Sequence, residues 1–389
     1  RIGDVSTHLQ ESLTGMRVLK AFGREERDAE RLATASAAYC RANLRTVVQG
    51  GLYFPFLDLV GSAAVVIVLW YGGWLVSNKS IQVGVLVAFI GYLSSFFDPV
   101  QQLSHLYDIF QSSMAAAHKI FSVLDVDPDV VDDPGAVDLP EVRGALELRD
   151  VTFGYDAERP VLHGVSFAIG AGETVALVGA TGAGKSTITK LLARFYDPQA
   201  GAVLIDGHDL RHVTQRSLHR QLVAVPQEPY LFSGSLRENI RFARPEATDE
   251  EVERVARIVD LHDFVAELPD GYDTEIRHGG SSLSTGQRQL VSFTRALLAD
   301  PRILILDEAT SSVDLENERR IGRAMELLFN GRTSIIVAHR LSTVRYADET
   351  VVVDAGRVVE RGTHDELVAA AGGRYAQLYD QWEETGRAL

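Results

Sequence analysis

Gly179-Ala180-Thr181-Gly182-Ala183-Gly184-Lys185-Ser186-Thr187 lies between the apolar run Thr174-Val175-Ala176-Leu177-Val178 and Ile188-Thr189-Lys190-Leu191-Leu192-Ala193, which reads as a helix. Strand, glycine-rich loop and helix, in that order, are the context in which G-x-x-x-x-G-K-S carries meaning. Small residues let the backbone wrap closely round a polyphosphate, with N–H groups pointing inward and the helix N-terminus adding positive partial charge. On this reading Gly179, Thr181, Gly182, Ala183 and Gly184 form the cradle. Lys185 reaches the β- and γ-phosphates, Ser186 binds Mg²⁺, and Thr187 supports it. A glycine turn joining any strand to any helix is the plainer alternative; the complete pattern in its proper context favours the phosphate loop.

The 389 residues leave room for two or three domains. The average composition, 46% hydrophobic and 23% charged, hides a contrast between halves. Residues up to about Leu124 contain two long apolar stretches, and the rest reads as soluble α/β protein. A net charge of -15 disfavours nucleic acid as a partner, so phosphates must be gripped locally by loops. The single cysteine, Cys40, excludes an internal disulfide and suits a reducing compartment. The chain opens on Arg1-Ile2-Gly3-Asp4, without an initiator methionine or a signal peptide pattern, and is expected to be the C-terminal part of a longer protein.

Residues 1–49 have helical spacing and are mostly polar; Met16 to Phe22 makes a short amphipathic piece after Gly15. Its Val18, Leu19 and Phe22 serve either core packing or docking. Phe56 to Val76 is long and apolar enough to cross a bilayer core, with small residues Gly61 to Ala64 for close packing and Trp70, Tyr71 and Trp74 near one end. Ser77-Asn78-Lys79-Ser80 reads as a turn, and a second span is expected near residues 81–100. Pro99 predicts a kink or local break, with the helix then continuing to Phe121 in water. Arg41, Arg45, His118 and Lys119 flank the outer ends, so the turn faces outward and both flanks face the cytoplasm. A buried helical hairpin in a globular protein is the alternative. Asp58 and Asp98, at the edges of the spans, read as water-accessible rather than functional carboxylates.

Asp125 to Pro140 is acidic and carries Pro128, Pro134 and Pro140; residues 125–143 are taken as a linker between a membrane part, 1–124, and a catalytic part, 144–389. In the latter, Leu146 to Phe153 and Val165 to Ile169 read as antiparallel strands. Tyr155 between them is either an ordinary tyrosine or one that stacks on a base. Asp206-Gly207 reads as a hairpin turn, Val223 to Gln227 as a strand ending in a polar residue, and Thr248 to Glu267 as a helix opened by a Thr248/Glu251 capping box. A loop from Gly279 to Leu283 leads to a helix beginning near Ser284, a second potential anion site. Ile303-Leu304-Ile305-Leu306-Asp307-Glu308 and Ser334-Ile335-Ile336-Val337-Ala338-His339 read as buried parallel strands whose C-terminal ends carry polar groups. With the phosphate loop present, Asp307 is placed to hold Mg²⁺ through water, Glu308 to polarise an attacking water, and His339 to hydrogen-bond the γ-phosphate.

Together these residues resemble an ATP-binding cassette (ABC) protein over nearly the whole chain. Leu283-Ser284-Thr285-Gly286-Gln287 resembles the family's signature motif, Gln227 the Q-loop glutamine, Ser311-Ser312-Val313-Asp314 the D-loop, and His339 the switch histidine. Tyr155 matches the aromatic that stacks on adenine. The resemblance is to fused exporters, whose halves each join six membrane helices to an ATPase domain. It implies the last two membrane helices, the cytoplasmic end of the fourth and, at Thr14 to Phe22, the second coupling helix. The implied fold is a helical membrane segment followed by an α/β P-loop NTPase domain with antiparallel and helical subdomains. Two cassettes would face head to tail. Each would bind ATP and Mg²⁺ through its phosphate loop, with Ser186, Gln227 and Asp307 at the metal. Ser284, Gly286, Gln287 and Asp314 would serve the nucleotide across the dimer. Hydrolysis by Glu308, His339 and Gln227 would drive export through a multi-pass membrane protein whose ATPase domain is cytoplasmic. The implied partners are a second half-transporter, membrane lipid and an exported substrate.

Two departures stand out. Thr285 replaces the usual signature glycine, where a side chain crowds the phosphate. The stretch Thr274-Glu275-Ile276-Arg277-His278-Gly279-Gly280 lacks the second glutamate usual in exporters. With Glu308 and His339 intact, these suggest one half of a heterodimer; a homodimer and an ATP-binding switch with little turnover stay open. A soluble cassette of DNA repair or translation is disfavoured by the apolar spans, and an importer ATPase by their fusion to the cassette.

Overall fold

The computed structural model describes residues 2–156, 158–280, 282–307, 315–338, 341–370 and 372–387. The chain divides into two compact units, Arg1–Asp127 and Pro128–Leu389.

The first unit is helical: α1 (Ile2–Thr14), α2 (Met16–Ala21), α3 (Glu25–Ser77) and α4 (Val83–Leu124). Gly23, at φ 57°, ends the short α2. The expected turn after Ser77 is a left-handed stop: Lys79 has φ 57° and the Ser80 N–H donates to the Leu75 carbonyl at 2.9 Å. Of the kink or local break expected at Pro99, the break does not occur: α4 runs through it, and Pro55 likewise sits inside α3. Each proline deletes one donor from a ladder that continues on both sides, and long membrane helices tolerate that. Asp58–Ser77 has mean hydropathy 2.0 and is long and apolar enough to span a membrane, with 6% of it buried within the protein. The apolar part of α4, Val83–Leu93, is shorter. Helices α3 and α4 approach so closely at Gly72 that an added Cβ would lie 2.5 Å from Leu86 Cδ1. Trp70, Tyr71 and Trp74 are exposed, the last two stacked with centroids 5.9 Å apart. Asp58 is exposed, and the Asp98 side chain lies outside the described residues.

In the second unit an antiparallel sheet of order β2-β1-β4-β5 joins β1 (Leu146–Phe153), β2 (Leu162–Ile169), β4 (Ala200–Ile205) and β5 (His208–Asp209). Asp206 and Gly207, at φ 47° and 82°, make the β4–β5 hairpin turn. A second sheet has the order β12-β11-β3-β10-β9-β6. Its parallel strands are β3 (Thr174–Val178), β6 (Leu222–Val225), β9 (Ile303–Asp307), β10 (Thr333–Val337) and β11 (Glu349–Asp354), and β12 (Arg357–Gly362) closes it antiparallel. Every residue of β3 and β10 is buried, as helices on both faces require. A pair of short strands, β7 (Gly234–Ser235) and β8 (Glu275–Ile276), ties the helical subdomain.

The helices of this unit are α5 (Lys185–Leu192), α6 (Gln215–Gln221), α7 (Leu236–Arg241), α8 (Asp249–Ile258), α9 (His262–Ala266), α10 (Thr285–Ala299), α11 (Leu315–Phe329), α12 (Leu341–Val344), α13 (His364–Ala369) and α14 (Arg374–Arg387). The capping box of Thr248 and Glu251 is present. The single helix expected over 248–267 is instead two. Asp260 turns left-handed at φ 57°, and the Leu261 N–H closes onto the Ala256 carbonyl at 2.9 Å, burying Val259 and Leu261 on either side. One core fills the antiparallel subdomain and the face of the main sheet that carries α5; another gathers α7, α8 and α10 around Phe293.

Candidate functional site

Three parallel strands of the main sheet bring the site together at their C-terminal ends. β3 runs into the phosphate loop, β6 leads to Gln227, and β9 ends on Asp307. A cavity of about 560 Å³ lies there, lined by Thr181, Gly182, Gly184, Lys185, Ser186 and Thr187 from the loop and α5. Tyr155, Gln227 and Asp307 line it as well. Sequence separation hides this convergence; the parallel register of β6, β9, β10 and β3 creates it.

The loop depends on its glycines at two points. Gly179 has φ 153°, and a Cβ there would lie 2.0 Å from the Val353 carbonyl oxygen. Gly184, the residue before α5, has φ 108° and packs against Leu162, whose Cδ2 would be 2.7 Å from a Cβ. Ala183 is buried beneath the loop. Lys185 is 4% exposed, and its ammonium donates to the carbonyls of Gly179 at 2.7 Å and Ala180 at 3.1 Å. A buried cation arched over backbone amides at a helix N-terminus suits a polyphosphate. Ser186, Gln227 and Asp307 offer a hydroxyl, an amide and a carboxylate to one cavity, a set of hard oxygen donors that fits Mg²⁺.

Tyr155 is 52% exposed beside this cavity. Phe153 and Tyr196 meet its ring edge-on, each at 5.3 Å. Its hydroxyl lies 3.3 Å from Thr187 Oγ1 and accepts from Lys190 Nζ at 3.3 Å. Sequence reasoning found Tyr155 but missed Lys190, Phe153 and Tyr196, which no motif spacing marks.

Ser284, Gly286 and Gln287 do not line the cavity. They form the start of α10, where Ser284 Oγ accepts from the Gln287 N–H at 3.2 Å and Gln287 Oε1 accepts from the Ser284 N–H at 2.8 Å. Gly286 is buried and Thr285 exposed. Thr285 Oγ1 accepts from Arg288 Nη2 at 3.1 Å, while Arg288 Nη1 donates to the Leu283 carbonyl at 2.7 Å. Further along α10, Arg295 joins this helix to the segment beyond Gln227, donating to the Tyr230 carbonyl at 2.7 Å and to Asn239 Oδ1 at 2.7 Å. Burial pushes its pKa down to about 10, which leaves it cationic at neutral pH. Glu308, His339 and the segment 311–314, with Asp314, lie outside the described residues.

Residues 1–100 match the family model for the ABC transporter transmembrane region, and residues 162–311 match that for ABC transporter. The structure is similar to that of a bacterial Atm1-family ABC exporter with ATP bound, with TM-score 0.86 and 37% identity, covering 97% of this chain and 67% of that one. The chain belongs to the ABC transporter family. Its membrane unit and cassette also resemble curated ABC transporters along their joint length. An uncharacterised ABC transporter ATP-binding protein, YknV of Bacillus subtilis (strain 168), is 42% identical over 374 residues, 96% of this chain and 62% of that protein. An ATP-dependent lipid A-core flippase of Syntrophus aciditrophicus (strain SB) is 40% identical over 383 residues, 98% of this chain and 64% of its own length. A fatty acid ABC transporter ATP-binding/permease protein of Mycobacterium tuberculosis (strain CDC 1551 / Oshkosh) is 41% identical over 373 residues, 96% of this chain and 59% of its own. The chain thus spans about three fifths of the curated relatives it matches. The expected fold class stands: a helical membrane region fused to a cassette with antiparallel and mixed sheets.

Proposed function

We propose that this chain couples ATP hydrolysis to export across a membrane, as part of a multi-pass protein whose cassette is cytoplasmic. The convergence of Lys185, Ser186, Gln227 and Asp307 on one cavity at the strand ends carries the reading. Lys185 and the loop amides hold the β- and γ-phosphates, and Tyr155 offers its ring to the base. Mg²⁺, held by Ser186, Gln227 and Asp307, would neutralise charge on the phosphates. Glu308 polarises the attacking water and His339 steadies the γ-phosphate. The signature residues Ser284, Gly286 and Gln287, with Asp314, serve a nucleotide on a second cassette. Among the described residues, Ser284, Gly286 and Gln287 do not line the cavity, which supports that division. Relatives named for lipid A-core flipping and for fatty acid transport support an amphiphile with acyl chains as the exported substrate.

The second cassette belongs either to another copy of this chain or to a related half whose own hydrolytic site is weakened. Thr285, exposed at the start of α10, favours the heterodimer and keeps the ATP-binding switch as a second reading. The deciding experiment is ATP hydrolysis by the full-length protein purified alone, beside Glu308→Gln. Turnover abolished by the substitution supports a hydrolytic homodimer. Turnover only after co-expression with a second half supports the heterodimer. No turnover in either case overturns the hydrolytic reading in favour of the switch.

A further inference from the structure

The base end of the cavity has a feature that the phosphate chemistry does not use. Half of the Tyr155 side chain is open to solvent, yet the ring is fixed from several directions. Phe153 stands nearly perpendicular to it at an interplanar angle of 83° and Tyr196 at 86°, while about half of the residue stays exposed. The hydroxyl is held by Thr187 and Lys190, and the Lys190 ammonium lies 5.2 Å from the ring centroid. Thr187 and Lys190 are three residues apart on α5, hence on one helix face. The helix whose first turn carries Lys185 and Ser186 therefore also holds the hydroxyl end of the aromatic ring.

We propose that Lys190 is a positioning residue for nucleotide binding, acting through the ring of Tyr155. It orients that ring and draws on its π electrons, so that a purine stacking on its exposed surface meets a surface already in place. This deepens the nucleotide reading of the cavity and rests on it. A solvated surface lysine would share the position without touching affinity, and a lysine acting by charge alone would favour any polyphosphate.

The test is equilibrium binding to the full-length protein in a Glu308→Gln background, with ATP and inorganic tripolyphosphate as probes. Lys190→Met is expected to weaken ATP roughly two- to fivefold, the scale of an exposed cation–π contact, and to leave tripolyphosphate unchanged. Lys190→Arg, which can still donate and stack, restores ATP affinity. In a Tyr155→Ala background, Lys190→Met has no further effect, because the lysine then has no ring to act through. Equal weakening of both probes, an unchanged ATP affinity, or a full Lys190→Met effect without the ring each overturns the proposal. Failure of the unsubstituted protein to bind either probe overturns the nucleotide reading itself.

Discussion

Arg194→Met should destabilise the cassette by about 2–4 kcal/mol, most of it from one orphaned carbonyl. Arg194 follows α5 in a left-handed turn at φ 52° and is 2% exposed. Its guanidinium donates to the Val213 carbonyl at 2.5 Å, the Arg211 carbonyl at 3.3 Å, Asp132 Oδ1 at 3.3 Å and Asp197 Oδ1 at 3.3 Å. The two carboxylates keep about a third of their side-chain surface in water, 36% and 32%, so they can rehydrate, and each pair is worth about 0–1 kcal/mol. Val213 is 2% exposed, and its carbonyl would lose a charge-assisted partner where water does not easily reach, costing about 1–3 kcal/mol. Methionine retains much of the packing volume, so the deficit is electrostatic. For a unit of this size each kcal/mol moves Tm by about 2–4 °C, and a fall of roughly 5–15 °C is expected. The assay is scanning calorimetry of the full-length protein in detergent, following the cassette transition. A fall below about 2 °C would refute the idea that the buried guanidinium is fully engaged.

Gly179→Ala places a Cβ 2.0 Å from the Val353 carbonyl in a backbone region that side chains avoid, so ATP affinity should fall roughly tenfold or more, read by titration with circular dichroism as the folding control. Thr248→Ala removes the capping box of α8 and should cost about 1 kcal/mol in a thermal melt; an unchanged Tm would contradict the observed cap. Thr285→Gly removes an exposed side chain whose hydroxyl accepts from Arg288; if that side chain crowds the phosphate, ATP turnover should rise with stability altered by less than about 1 kcal/mol, and a fall in turnover would count against crowding.

The fold was legible where burial forces composition. β3, β9 and β10 are apolar because helices and neighbouring strands cover them, and Asp206-Gly207 marks a hairpin because both residues take positive φ. It was less legible where one residue outweighs a continuous pattern. Nothing in the helical spacing around Asp260 announces the left-handed turn that separates α8 from α9. Pro99 is the opposite case: of the kink or local break it announced, the break is absent, because the helix runs through it. The acidic, proline-rich stretch before β1 reads as a linker from its composition, which does not reveal its bonds to the cassette. Yet the Leu139 N–H donates to Ser217 Oγ at 2.8 Å, the Val142 N–H to Gln221 Oε1 at 2.8 Å, and the Ala145 N–H to Asp206 Oδ1 at 2.8 Å. In the site, the loop could be read locally, because one turn of chain makes the cradle. The meeting of Lys185 with Gln227 and Asp307 is a product of strand register: Asp307 could be placed from the end of its buried strand, whereas Gln227 was reached only through resemblance. The enclosure of Tyr155 by Phe153, Tyr196 and Lys190 left no trace in spacing at all.

The signature segment raises a sharper chemical question, because a single serine is given two tasks. Ser284 Oγ accepts the Gln287 N–H and so caps α10; the same hydroxyl is proposed to hold a phosphate across the dimer. These tasks do not compete. A hydroxyl has acceptor lone pairs and one donor proton, and the cap uses only the former. The reciprocal bond from the Ser284 N–H to Gln287 fixes the backbone, so the O–H is left to donate from the positive end of a 15-residue helix. Capping thus pre-organises the phosphate donor. Ser284→Asp separates the two roles, since aspartate caps about as well as serine but has no proton to give and repels an anion. Tm should then stay within about 0.5 kcal/mol equivalent of the unsubstituted protein while ATP turnover falls by on the order of a hundredfold. Turnover and stability falling together would mean that Ser284 matters to α10 alone, and that the nucleotide on the partner is held by other groups.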